Sequence, residues 1–343
     1  MGNANLEDIR AAYRIFLRRE PENEEVMKEL LQSDVDAHHL IRIFMGSREF
    51  KESFSQELAT FFELTAFEIL ELRDYNVAPG HVMLRTTHGD FECYLASPGD
   101  FLSFYAFGLH KAGSSLLVGM LSAALERRGI PYVNTSDHAF EAGMQHDSLI
   151  NPEDAYFRYG YGYIGFRGFP SYLKRFDLKH NKKIILIRDP RDMLVSYYFS
   201  MRYSHINPGG GVVSAEIKRL RSEATQIPID QYCIEKSTTF LAEFASISHL
   251  LGTDVRLYRY ENVIYMKSEW LSDMLNYLGI ELPPAEIEDI AHLNDIRPER
   301  ERLEQHIRQV APGNYHKHLK AATINRLNEI FCHVLRKFGY AMG

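Results

Sequence analysis

Cysteine is scarce in this chain: Cys93, Cys233 and Cys332 are the only three among 343 residues. They lie far apart and at no metal-ligand spacing, and an odd number suits no disulfide framework. Reduced thiols and a cytoplasmic setting are therefore expected. The 15 histidines form no pair at metal spacing with a carboxylate, so no metal is expected. Long apolar runs are missing as well, which excludes a membrane span. The opening MGNANLEDIRAAY has no apolar signal core, so no targeting segment or anchor is expected. It begins like a myristoylation motif, but Leu6 stands where that motif needs Ser or Thr. An excess of positive charge is also lacking. A net charge of −7 argues against a general binder of nucleic acid or anionic membrane, so any anion site must be local. What remains is 45% hydrophobic residues, enough for a sizeable core, in a chain longer than one typical domain.

The most informative stretch is Phe101–Leu125, FLSFYAFGLHKAGSSLLVGMLSAAL. An apolar run ends in Gly108-Leu109-His110-Lys111-Ala112-Gly113-Ser114-Ser115, and a helical pattern follows. A strand, a tight turn and a helix start leave unpaired backbone N–H groups and the positive end of a helix dipole facing one point. Such a point binds anions, most often phosphate. Lys111 adds a full charge, Gly113 lets the backbone approach an oxyanion, and Ser114 and Ser115 are expected to cap the helix and donate hydroxyl hydrogen bonds. The loop is not a Walker A motif, in which Lys follows the second Gly and a Mg²⁺-binding hydroxyl follows Lys. Here Ala112 follows Lys111.

A second segment, Lys182–Arg202, reads KKIILIRDPRDMLVSYYFSMR. Ile184–Ile187 suits a buried parallel strand. It ends in Arg188, and Asp189-Pro190 opens a helix as N-cap and first turn. Ser196 follows about two helical turns later. An Arg fork at such a strand end suits a phosphate, because it bonds bidentately and stays charged.

Together these segments resemble the sulfotransferases that use 3′-phosphoadenosine 5′-phosphosulfate (PAPS). The first resembles the family's phosphosulfate loop, usually Pro-Lys-Ser-Gly-Thr-Thr. The Lys, the Gly and both later hydroxyls are kept, and Ala112 replaces one hydroxyl. The second resembles the 3′-phosphate site, which implies that role for Arg188 and Ser196. Val255–Glu261, VRLYRYE, resembles the strand that ends in Tyr-Glu-Asp, placing Tyr260 against the adenine, with Asn262 in place of Asp. Arg308–Leu319, RQVAPGNYHKHL, is similar to Arg-Lys-Gly, two residues, then Gly-Asp-Trp, so Arg308 is a further ligand of the 3′-phosphate. Gln309 and Val310 depart from the Lys and first Gly. The cofactor-binding residues implied are thus Lys111, Ala112, Gly113, Ser114, Ser115, Arg188, Ser196, Tyr260 and Arg308. The donor is PAPS and the product is 3′-phosphoadenosine 5′-phosphate (PAP).

The resemblance implies in-line transfer of a sulfuryl group to a hydroxyl or amine of a sugar or small-molecule acceptor, with Lys111 neutralising the leaving oxygen. The acceptor needs a base. In the cytosolic branch this is a His in a Thr-His-Leu-Pro segment, and here Gly168 occupies its position in Phe166–Pro170. In the carbohydrate and tyrosine branches a Glu follows the phosphosulfate loop at a distance that falls on Thr135–Glu141. His138 or Glu141 is therefore the expected base, with Asp137 orienting His138. Arg167 is expected to face the sulfonate or an acidic acceptor. No nucleic-acid partner is implied, and a homo-oligomer is allowed. Two other readings are a P-loop kinase or NTPase and a non-catalytic nucleotide-binding scaffold.

Strands expected at Phe101–Leu109, Tyr132–Asn134, Tyr163–Phe166, Ile184–Ile187 and Val255–Arg259 alternate with helical patterns. This predicts an α/β fold with a parallel sheet flanked by helices, the architecture of P-loop-like sulfotransferases. Ser97–Asp100 reads as a linker. It divides an N-terminal module over 1–96, mostly helical with a hairpin at Val82–Leu95, from a catalytic domain over 97–343. Helices are expected at Leu6–Leu17, Val26–Leu31, Val35–Phe44 and from Ser47 to about Leu72. The module resembles one appended to bacterial surface and carbohydrate-related enzymes. Tyr203–Gln231, with Gly209–Gly211, reads as a mobile loop beside the site.

Overall fold

The computed structural model describes residues 6–13, 20–21, 23–31, 72–75, 78–248, 250–252, 254–298, 301–302, 305 and 307–342. The chain divides into two units, Met1–Glu68 and Ile69–Gly343. In the first, α1 (Leu6–Ala12) buries Ile9 and α2 (Glu24–Leu31) buries Met27. The helix expected over Val35–Phe44 and nearly all of that from Ser47 to Leu72 lie outside the described residues.

The second unit starts well before residue 97. An antiparallel hairpin, β1 (Gly80–Thr86) with β2 (Gly89–Leu95), belongs to it rather than to an N-terminal module. Leu84, Phe91, Cys93 and Leu95 alternate into one core with Tyr105 and Tyr163. The Asn151 side chain fastens the hairpin, accepting from the Arg85 N–H at 2.7 Å and donating to the Met83 carbonyl at 3.1 Å. Ser97–Asp100 is a turn within this unit, and its Gly/Pro content marks a bend rather than a boundary.

The main sheet is parallel, with strand order β4-β5-β3-β6-β7. The strands are β3 (Phe104–Gly108), β4 (Tyr132–Val133), β5 (Gly162–Phe166), β6 (Lys183–Ile187) and β7 (Val255–Arg259). Every residue of β3, β5 and β6 is buried, as a sheet covered on both faces requires. The two-residue period sends Phe104, Ala106, Ile184 and Leu186 to one face. There they meet α3 (Ser114–Arg127), α9 (Lys267–Leu278) and α10 (Pro284–Leu293). Tyr105, Phe107, Ile185 and Ile187 face the other core. That core is closed by α5 (Pro190–Phe199), α7 (Ile229–Ser248), α12 (Ala321–Ile330) and α13 (Cys332–Lys337). The only tryptophan, Trp270, is 3% exposed in the α3 and α9 layer, together with Tyr260.

The segment expected to be a mobile loop is mostly helical: α6 (Gly211–Gln226) follows the glycines, and α7 begins at Ile229. Buried Ser214, Ile217 and Ala224 supply a sparse inner face that the many charges of α6 obscure in sequence. Gly143 and Gly211 touch backbone to backbone; a Cβ on Gly211 would lie 2.2 Å from the Gly143 carbonyl oxygen. The remaining helices are α4 (Thr135–Glu141), α8 (Tyr260–Val263) and α11 (Tyr315–His318). Among the described residues no helix is long and apolar enough to cross a membrane.

From β3 the chain moves to β4 and β5 on one side, then to β6 and β7 on the other. The crevice at such a reversal, outside the carboxyl ends of the strands, is where open parallel sheets bind ligands. Here it lies beyond the ends of β3 and β6, next to Lys111 and Arg188.

Candidate active site

The loop after β3 is set by close packing and two left-handed residues. A Cβ on Gly108 would sit 2.6 Å from that of Ser114, so strand and helix meet where only glycine fits. Lys111 has φ 62° and Gly113 has φ 94°. For Lys111 this conformation costs on the order of 1–3 kcal/mol and persists because the surroundings hold it. The expected serine cap is not made. Gly113 occupies the N-cap position of α3, with no side-chain cap, so Ser114 and Ser115 already lie in the first turn. The N–H groups of Gly113, Ser114 and Ser115 make no hydrogen bond among the described residues. They remain available to an anion. Ala112 is fully buried and its N–H donates to the Leu109 carbonyl at 3.0 Å, so it closes the turn and offers no donor to a ligand.

Lys111, Arg188, Ser196 and Arg308 line one cleft, joined by Phe199, Ser200 and Gln309. Burial and three guanidinium groups, Arg167, Arg188 and Arg308, hold Lys111 down to about 8. A pocket this cationic favours a polyanion.

Arg188, 5% exposed, is aimed by two contacts. Its Nη2 donates to Asp192 Oδ2 at 3.1 Å, and its guanidinium lies 4.4 Å from the Tyr260 ring centroid. Its Nε is buried without a partner, an orphaned donor beside the cleft. Asp192 is an organiser that none of the sequence motifs singles out. Its two carboxylate oxygens also accept from the backbone N–H groups of Gly313, at 2.8 Å, and Tyr315, at 2.9 Å. One side chain thus ties the segment around Arg308 to the end of β6. Its only sequence signal is an Asp four residues after the strand-end Arg. Arg308 stacks on Phe199, 4.3 Å from its centroid, and pairs with Glu301. Glu301 is the counter-charge of Arg308, which still lines the cleft.

Tyr260 differs from its expected role. It opens α8 rather than ending β7, and it is 5% exposed. Arg188 covers its face, its edge packs on Gly113, and its hydroxyl donates to the Val310 carbonyl at 2.9 Å. It supports Arg188 and the backbone at Val310, and offers no open face for a base to stack on.

On the other side of Lys111 the expected residues are dispersed. Asp137 does not orient His138. It accepts from Asn134 Nδ2 at 2.6 Å, and Asn134 in turn caps the Asp137 N–H. His138 is half-buried with no polar side-chain partner among the described residues, and Glu141 is exposed at the end of α4. Arg167 Nη1 donates to the Gly165 carbonyl at 3.1 Å. Its guanidinium lies within electrostatic range of both Lys111 and His110. His146 is walled in, its Nε2 at 2.7 Å from both Thr135 Oγ1 and Tyr172 Oη and its Nδ1 at 3.0 Å from Ser136 Oγ. Burial pushes it down to about 3, so it stays neutral. His110 meets Glu243 of α7, with Nδ1 2.8 Å from Oε1. The backbone N–H of His110 donates to Oε2 at 3.1 Å. Glu243 is 133 residues away, and no sequence pattern links the two. Among the described residues no cluster of three or more His, Cys, Asp or Glu could hold a metal.

Residues 169–339 match the family model of the sulfotransferase domain. The chain belongs to the sulfotransferase family. The match contains Arg188, Ser196, Tyr260 and Arg308 and begins after the Lys111 loop. No curated protein matches the chain. Similar solved structures include a mouse sulfotransferase complexed with PAP, with TM-score 0.45 and 14% identity over 68% of this chain and 84% of that one. Retinol dehydratase in complex with retinol and PAP aligns with TM-score 0.39 and 12% identity, over 77% of this chain and 96% of that one. The sulfotransferase domain from the curacin biosynthetic pathway aligns with TM-score 0.32 and 14% identity, over 72% of this chain and 100% of that one.

Proposed function

We propose that this sulfotransferase moves a sulfuryl group from PAPS to a hydroxyl of a sugar or other small-molecule acceptor. The observation that carries this reading is one cleft with two anion-binding elements. Lys111 lies beside the free N–H groups that open α3, and Arg188, Ser196 and Arg308 lie across from it. By resemblance the first element suits the 5′-phosphosulfate and the second the 3′-phosphate, a pair that a nucleotide phosphorylated at both ends would fill. The N–H groups of Gly113, Ser114 and Ser115 hold the oxyanions, and Ala112, whose N–H donates to the Leu109 carbonyl, shapes the loop that presents them. Lys111 stabilises the charge that grows on the oxygen leaving sulfur. Tyr260 acts by positioning Arg188.

The reading is tested by thermal stabilisation. PAP is expected to raise the melting temperature, and ATP, which has no 3′-phosphate, to do so little or not at all. Arg188→Ala should weaken PAP by about 1.5–3 kcal/mol, the usual loss for a charge-assisted bond, and weaken adenosine 5′-phosphate much less. Equal losses for both nucleotides would place Arg188 elsewhere, and stabilisation by ATP alone would overturn the function.

The state of Lys111 gives a second check. Burial and neighbouring cations disfavour its charged form, so the free protein loses this proton near pH 8. A bound polyanion reverses the balance and raises the pKa. PAP binding at pH 8 should therefore take up about half a proton, and uptake should vanish below about pH 6.5, where Lys111 is already charged. Calorimetry in buffers of different ionisation enthalpy reads this directly. No buffer dependence at pH 8 would mean that PAP does not sit against Lys111.

A further inference from the structure

The sulfuryl-transfer reading leaves open what takes the acceptor's proton, and the geometry around His110 supplies an answer that rests on that reading. His110 and Lys111 are consecutive but look onto different surroundings. Lys111 shares its cleft with Arg188, Ser196 and Arg308. His110 faces Glu243 on α7, Asp147 on the 3₁₀ turn His146–Ser148, and Arg167 after β5. On this side two carboxylates face one guanidinium, a poorer place for a phosphosulfate than the Lys111 cleft, and it is left to the acceptor hydroxyl. Glu243 grips His110 twice, at the ring and at the backbone N–H. The carboxylate 2.8 Å from Nδ1 is not aligned with that nitrogen as a hydrogen bond, but its charge favours the proton there and leaves Nε2 as the free acceptor. Nε2 makes no bond among the described residues, and the side chain is 45% exposed. Gly168, whose N–H donates to the Gly108 carbonyl at 3.2 Å, has no side chain to contend for this space. Ser246, one turn from Glu243, is the nearest group to where its Cβ would lie, at 3.9 Å.

We propose that His110 is the catalytic base, with Glu243 as its positioning residue. The acceptor oxygen bonds to sulfur while the bond from sulfur to the 5′-phosphate oxygen breaks. The electron pair leaves on that phosphate oxygen, beside Lys111, and the hydroxyl proton passes to His110 Nε2. Burial pulls the ring's pKa down and Arg167 adds to this, but the Glu243 carboxylate, with Asp147, outweighs them and sets it above an ordinary histidine. The rate should therefore rise with pH through that raised value.

The test measures PAP release from PAPS, with water alone and with p-nitrophenol or a hexose as acceptor, beside PAP affinity by calorimetry. His110→Ala should lower release by about two to four orders of magnitude while PAP affinity stays within about twofold. Added imidazole should restore part of the rate. In Glu243→Gln the acidic limb of the rate profile should move to lower pH, because the imidazolium loses its counter-charge. Unchanged release in His110→Ala overturns the proposal, and so does an equal loss of PAP affinity, which would make His110 a donor anchor. Loss in His138→Ala or Glu141→Ala instead would return the base to α4. Imidazole NMR of the PAP-bound protein decides without turnover: a His110 ring that never deprotonates while the protein is folded cannot serve. Failure of the wild type to bind PAP is a different result and overturns the donor assignment.

Discussion

Lys111→Ala is expected to lower turnover of PAPS by about a hundredfold or more, the usual consequence of deleting a preorganised donor at a developing charge. PAP affinity should fall much less, because the N–H groups of Gly113, Ser114 and Ser115 and the side chains of Arg188 and Arg308 remain. The difference arises because the ammonium meets its largest charge only as the sulfur–oxygen bond breaks, and only such interactions accelerate the step. The structure adds a reason for an unequal loss. The free protein holds Lys111 with left-handed backbone, among three guanidinium groups, and down to about 8. The site is therefore destabilising until an anion arrives, and removing the side chain relieves that repulsion. The variant should melt at the same or a slightly higher temperature without ligand. Near-normal turnover with weakened PAP binding would make Lys111 an anchor and not a participant in the chemistry.

The second large effect is expected at Asp192. Its carboxylate is buried and holds Arg188 Nη2 and the N–H groups of Gly313 and Tyr315. Asp192→Ala leaves a buried guanidinium without its counter-charge and two backbone donors without an acceptor. Breaking a buried pair from one side costs about 3–5 kcal/mol. In a unit of this size that lowers the melting temperature by roughly 10 °C. PAP binding should fall too, since Arg188 and Arg308 lose their common tether. Asp192→Asn keeps the shape and one acceptor oxygen, and should recover more stability than binding. A melting temperature unchanged by either substitution would show that the segment around Arg308 is held by other contacts.

Parts of this molecule whose physics is local were readable from the chain. The strand at Ile184–Ile187 is apolar throughout because both its faces are covered, and Asp189-Pro190 begins a helix by local geometry alone. The five strands fall close to where the pattern placed them. Likewise the turn around Lys111 is encoded by neighbours in sequence: a glycine that must pack on a serine six residues later, and a second glycine that must turn left-handed. Misreadings came where partners are distant. Tyr260 has the right residue type at the right place, yet whether its ring is open depends on Arg188 and Gly113. Asp137 precedes His138, but Asn134 takes its carboxylate. His110 carries no signal of its own, because Glu243 reaches it only through the docking of α7. The hairpin over 80–95 packs with the second unit for the same reason: Asn151, which fastens it, lies beyond Ser97–Asp100 in sequence.

Trp270 gives the molecule a spectroscopic property. It is the chain's only indole, buried 6.0 Å from the Tyr258 ring and in the same layer as Tyr260. Selective tryptophan emission therefore comes from a single address, the α9 side of the sheet, and carries no direct signal from Met1–Glu68. Far-ultraviolet dichroism sums over the helices of the whole chain. Denaturation followed by both probes distinguishes one cooperative transition from two, because a separately melting first unit would change the dichroism while the fluorescence stayed constant.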